Sequence, residues 1–114
     1  MTPKKIICLD FDGVVNDYPG WSDEGYVEIR GEPVTGVKDA IAELRKQYTV
    51  VVNSARCAFP RGHAAVRRYL RQHGITVDRV TKCKPPASLY VDDRGYRFGG
   101  DWKRELAKIT TLME

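Results

Sequence analysis

Two carboxylates, Asp10 and Asp12, stand two residues apart at the end of the apolar run "KIICLD" and just before Gly13. Like charges that close repel and lose hydration when buried, so a strand end carries them at a cost unless a cation sits beside them. A second pair, Asp92 and Asp93, closes "SLYVDD", and Ser54 follows "YTVVVN". Converging carboxylates form a hard oxygen site suited to Mg2+, whose octahedral shell is completed by water and a substrate phosphate. The Ser54 hydroxyl, the backbone N–H of Ala55 and the Lys84 ammonium are donors for phosphoryl oxygens. Together these groups read as an electrostatic cradle for phosphoryl transfer.

The elements that must position them follow from residue pattern. Segments rich in branched residues predict four strands, ending at Asp10, at Asn53, around Val80 in "TVDRVT" and at Asp93. Val37, Ile41, Leu44 and Tyr48 recur at helical spacing over residues 36–48, with Thr35 as the expected N-cap. A second helix is expected over residues 60–73, with Pro60 in its first turn, Ala65, Tyr69 and Leu70 inward, and Gly74 as its stop. A third is expected from Asp101, burying Trp102, Leu106, Ile109 and Met113. Near-continuous apolar strands alternating with helices predict an α/β, Rossmann-like fold with a parallel sheet covered on both faces. Ligands of such sheets bind at the carboxyl ends of the strands. Asp10, Asp12, Ser54, Asp92 and Asp93 all fall on that rim.

Composition narrows the remaining classes. A chain of 114 residues with 42% hydrophobic and 30% charged residues describes one globular domain, residues 1–114, without repeats. The net charge of +4, with "RRYLRQ" and "KCK", suits a phosphorylated partner, although a solvated helix face accounts for it equally simply. No apolar run reaches the ~20 residues of a membrane span, and the first residues are too polar for a signal peptide. A cytoplasmic protein is expected, with no membrane partner. Cys8, Cys57 and Cys83 lack the paired spacing of a zinc site or a disulfide framework, so reduced thiols are expected.

In order along the chain, "DFDGVV", "VVNSAR", the Lys84 of "KPP" and "YVDDRG" resemble the four motifs of the haloacid dehalogenase superfamily of phosphohydrolases. The similarity spans nearly the whole chain. It implies a three-layer sandwich around the parallel sheet, without a cap domain, and with residues 16–34 as a flap insert. It makes Asp10 the nucleophile that forms an aspartyl-phosphate, and Asp12 the group that protonates the leaving oxygen and then activates water. It also implies Mg2+ held by the Asp10 carboxylate, the main-chain carbonyl of Asp12 and Asp92, with Asp93 acting through water or orienting its neighbour.

Several assignments stay open at this level. Lys82 competes with Lys84 for the motif lysine, and Lys84 is preferred because the prolines after it stiffen the approach to the rim. Gly13 is expected where the chain turns close to the phosphate. Ser54 alone would be an ordinary helix cap. Arg56 is placed near a substrate's leaving group, and Arg94 either there or paired with a carboxylate. His63 and His73 are expected on a solvated helix face. Tyr18, Trp21 and Tyr26 are expected to form the core of a β-hairpin flap or to stack on substrate. The leading expectation is a Mg2+-dependent phosphomonoesterase acting on a small molecule or a nucleic-acid end, as a monomer or small homo-oligomer. The alternatives are a 3′-phosphatase for nucleic-acid or nucleotide ends, a metal-dependent nuclease, and a non-enzymatic phospholigand or phosphoacceptor module. The "DDR" followed by Trp102 is also similar to the phosphatase half of polynucleotide kinase-phosphatases.

Overall fold

Branching at Cβ favours extended backbone, and the two central strands, β1 (Ile6–Asp10) and β2 (Thr49–Asn53), carry most of it. The computed structural model describes residues 3–18, 25 and 27–114. Two shorter strands, β3 (Arg79–Thr81) and β4 (Leu89–Val91), complete a four-stranded sheet in the order β3-β2-β1-β4, with every pairing parallel. Asp10 lies opposite Asn53, Asn53 opposite Thr81, and Leu9 opposite Val91. The strand ends therefore share one rim, and the residues that follow them meet there.

Helices α1 (Val37–Leu44) and α2 (Pro60–Gln72) cover one face of this sheet. Alternation along the strands sends Ile7, Leu9, Val50, Val52 and Val80 to that face, where they form one core with Ile41 of α1 and with Val66, Tyr69 and Leu70 of α2. Cys8 and Val51 point the other way and are also buried. The connection from β3 to β4 lies on their side: Pro85 is buried, and Tyr90, in register with Cys8, donates its hydroxyl to Pro85 O at 2.6 Å. Among the described residues no helix is long and apolar enough to cross a membrane.

Several expectations need correction. Thr35 does not cap α1; Gly36 occupies that position at φ 85°, so the chain turns through a left-handed residue and no side chain caps the first turn. The helix ends at Leu44, although Tyr48 still reaches the core from the turns beyond it. His63 and His73 are half-buried, His63 Nε2 lying 3.3 Å from Val80 O and the His73 ring 4.5 Å from that of Tyr69. All three cysteines are free, Cys83 exposed. Burial raises the thiol pKa of Cys8 and of Cys57.

The largest departure is α3 (Trp102–Met113). Its expected inward stripe is outward: Trp102, Leu106 and Met113 are exposed, Ile109 is half-buried, and Glu105 is the helix's buried residue. Asp101 caps it through the Lys103 N–H, and the Phe98 and Trp102 rings meet at 4.8 Å. Beyond this first turn the helix gains little from the sheet. No strand of the expected hairpin is found among the described residues of 16–34, where Asn16 bridges to Asp12 and to Pro33. Trp21 and Tyr26 lie outside the described residues.

Candidate functional site

A pocket of about 200 Å³ opens on the rim between the ends of β1 and β2, lined by Asp10, Asp12, Tyr18, Ser54, Ala55, Asp93 and Arg94. All seven were singled out in the sequence. Lys84 and Asp92 line the adjoining groove, where Lys84 Nζ lies 3.9 Å from Asp92 Oδ2 and 5.7 Å from the Tyr90 ring centre. Gly13 and Arg56 stand behind the pocket wall.

Asp10 feels all of these charges. Burial raises its carboxyl pKa above the ordinary range; the Lys84 ammonium pulls it down, and Asp92, Asp93 and Asp12 push it up again. Such a carboxylate gains from any cation placed against it. Asp92 is the opposite case: its Oδ1 accepts from the backbone N–H groups of Gly95 and of Arg94, the latter at 3.0 Å, which lowers its pKa. Among the described residues no group of three or more His, Cys, Asp or Glu side chains is arranged to hold a metal ion. Of the implied metal residues, Asp10 and Asp93 face the pocket and Asp92 the groove beside Lys84, whereas the Asp12 side chain is engaged elsewhere.

Arg56 holds the Asp12 side chain. Its guanidinium is 1% exposed and forks onto the carboxylate, with Nε 2.9 Å from Oδ2 and Nη2 3.2 Å from Oδ1. The remaining nitrogen, Nη1, donates to Glu28 O at 2.9 Å and to Gly25 O at 3.4 Å. A planar five-donor cation can serve a carboxylate and two carbonyls at once; a lysine cannot. Arg56 thus ties the inserted segment to the rim through Asp12. Its backbone N–H donates to Ser54 Oγ at 3.1 Å, so Ser54 caps the 3-10 turn Ala55–Ala58 while keeping its own hydroxyl proton available to the pocket.

Asn16 completes the support and escaped the sequence reading. It is fully buried, donates from Nδ2 to Asp12 Oδ1 at 3.2 Å and to Arg30 O at 2.9 Å, and accepts the Tyr69 hydroxyl at 3.0 Å. Burial, then the charges of Glu32, Asp12 and Asp17, push the Tyr69 pKa up to about 12, so it remains a donor. The only hint in the sequence is an amide ending the apolar run after Gly13. Of the two places expected for Tyr18, a flap core or a substrate-facing position, it takes one on the pocket wall.

Gly13 also makes room for a protein neighbour. At φ +92° a Cβ there would collide with the Asp93 carboxylate, so the missing side chain admits Asp93. Lys82 is exposed and makes no hydrogen bond or ion pair with the described residues, whereas Lys84 bears on Asp10 and Asp92. No protein-family profile, no curated protein and no solved structure matches this chain.

Proposed function

We propose that this chain is a Mg2+-dependent phosphomonoester hydrolase of haloacid dehalogenase type, a three-layer fold without a cap domain, working through an aspartyl-phosphate on Asp10. The observation that carries the reading is the convergence of Asp10, Asp12, Ser54, Ala55 and Asp93 on one pocket, with Lys84 and Asp92 beside it. These residues come from all four motifs of the resemblance. They lie at the ends of different strands, and no shared local element brings them together.

In this reading the Asp10 carboxylate attacks phosphorus, and the bond to the leaving oxygen breaks as Asp12 delivers a proton to it. Water then attacks the aspartyl-phosphate and gives its proton to Asp12, releasing phosphate and restoring Asp10. The Ser54 hydroxyl, the Ala55 N–H and Lys84 bind the three phosphoryl oxygens, whose negative charge is greatest at the transition state. Arg56 and Asn16 orient the Asp12 carboxylate. When bound, Mg2+ would supply positive charge against the developing phosphoryl charge. The carboxylates of Asp10 and Asp92 and the main-chain carbonyl of Asp12 would hold it, as the resemblance implies, and their all-oxygen chemistry suits a hard cation.

The test is phosphate release with Mg2+ from a panel of phosphorylated metabolites, nucleotides and 3′-phosphorylated oligonucleotides. Release without strand cleavage is expected, and it stops with chelator or in Asp10→Asn. Release undiminished in Asp10→Asn overturns the mechanism, and strand cleavage replaces it with a nuclease. A second substrate reading, the 3′-phosphate of a nucleic-acid end, rests on the net charge of +4 and the basic run "RRYLRQ" of α2, which suit a polyanion's backbone. For that reading, release from the oligonucleotides falls steeply with salt while release from small phosphates does not.

A further inference from the structure

The last quarter of the chain leaves two apolar surfaces uncovered. On α3, Trp102, Leu106, Leu112 and Met113 are 62–81% exposed. The spacing of Trp102, Leu106, Ile109 and Met113 draws one continuous ridge, about 16 Å long at 1.5 Å per residue. Beside β4 runs a groove of about 670 Å³ lined by Leu89, Tyr90, Tyr96 and Arg97 and reaching Lys84 and Asp92. Along this edge Leu89, Val91, Tyr96 and Phe98 are 36–52% exposed, Leu89 and Tyr96 lining the groove itself.

The ridge does not fill its own groove. The first turn of α3 is tied to the preceding loop by the Tyr96 hydroxyl on Glu105 and by the ring contact of Phe98 with Trp102. Beyond that turn the ridge stands clear of the sheet. The radius of gyration, 15.7 Å, exceeds the roughly 13 Å of a compact chain near this length.

Large side chains carry about 150–250 Å² each, so the two surfaces together offer on the order of 800 Å² of apolar area. That exceeds the ~300–600 Å² of the largest patch on a typical monomer and equals what each partner contributes to a stable complex. A ridge and a groove on the same chain are both satisfied when two copies exchange them about a two-fold axis.

We propose that this surface is a homodimer interface in which α3 of each copy seats in the β4 groove of the other. The exchange covers the sheet's free edge, which otherwise invites unregulated strand pairing. It also places the partner's helix alongside Lys84 and Asp92, walling a site that its own chain leaves open on that side. The closure at two copies follows from reciprocity, since a one-way contact would grow into open chains.

The experiment reads mass by light scattering after size exclusion, so its outcome is independent of any activity. The native chain at about 100 μM is expected at twice 12.9 kDa. Leu106→Glu with Met113→Glu, and separately Ala87→Glu with Leu89→Glu, are each expected to run as monomers. The helix variant retains native far-UV circular dichroism, because those side chains touch little of their own chain. Mixing the two variants restores a dimer, since one intact ridge then meets one intact groove. A monomeric native chain overturns the proposal, as does a series of larger species. A helix variant that remains dimeric, or a mixture that stays monomeric, rejects the exchange.

Discussion

At the β1–β2 end of the rim the polar side chains that orient Asp12 are satisfied. Arg56 spends its three nitrogens on Asp12, Gly25 and Glu28, Asn16 joins Asp12 to Arg30 and Tyr69, and no buried side-chain polar atom among the described residues lacks a partner. At the β4 end, three exposed residues pair with one neighbouring strand, and the helix that follows presents its apolar side outward. The first end holds its groups in place before any ligand arrives; the second carries Asp92 and Asp93 on a lightly supported edge. The difference separates two tasks within one site. Orientation of the Asp12 carboxylate is built into the fold, whereas Asp92, held locally by the N–H groups of Arg94 and Gly95, sits with Asp93 on an edge that little else supports.

The sharpest way to break this comparison is at Asp10. Asp10→Asn is expected to lower phosphate release more than about a thousandfold while the chain stays folded. Its melting temperature carries a second signature. Because the folded state raises the Asp10 pKa, the associated stability is complete below the unfolded carboxylate range, about pH 4, and is lost as pH rises through the folded value. Without Mg2+, Asp10→Asn therefore melts above the native chain at neutral pH, and the difference disappears in acid. A gap that widens in acid contradicts the buried, like-charged setting of Asp10.

On the open side, Lys84→Ala is expected to reduce kcat/KM by roughly ten- to a thousandfold, the loss of one charged contact to the phosphoryl group. Lys82→Ala changes mainly KM, in a salt-dependent way. Steady-state kinetics at two ionic strengths separates them, and a collapse of kcat in Lys82→Ala reverses the assignment. On the closed side, Arg56→Ala leaves the part-buried Asp12 carboxylate without its cation and the carbonyls of Gly25 and Glu28 without a donor, and denaturant titration is expected to show a loss of about 1–3 kcal/mol. A loss below about 1 kcal/mol removes the distinction between the two ends. The smallest effect belongs to the outer helix. Arg104 lies 3.7 Å from Asp101 in an exposed pair, and Arg104→Ala is expected to stay within about 0.5 kcal/mol by the same titration.

The legible parts of the molecule were those where one residue type has few alternatives. Acids ending branched strands placed Asp10, Asp12, Asp92 and Asp93 on one rim, because strand direction in a parallel sheet leaves them nowhere else. Arg56 was visible as a residue of interest but not in its role, since the carbonyls of Gly25 and Glu28 that receive it come from an insert whose described residues form no strand or helix. Asn16 was invisible because its partners, Tyr69 and Arg30, are far apart in the sequence. The stripe on α3 was read correctly as apolar and wrongly as inward. Periodicity reveals that a face is destined for burial and says nothing about which surface buries it.

Gly13 carries a consequence for how the molecule assembles. Its bare backbone admits Asp93 to a position that any Cβ would occupy, joining the turn after β1 to a residue eighty positions later. Such a contact forms only after β4 has found β1, at the end of a long loop closure and on a short edge strand paired on one side only. Backbone amides of β4 should therefore exchange with deuterium through a partial opening, far sooner than those of β2. In that opened state the rim has lost two of its four acids. A divalent ion or phosphate that prefers the complete rim slows this exchange by mass action, so that binding and the last step of folding are one equilibrium.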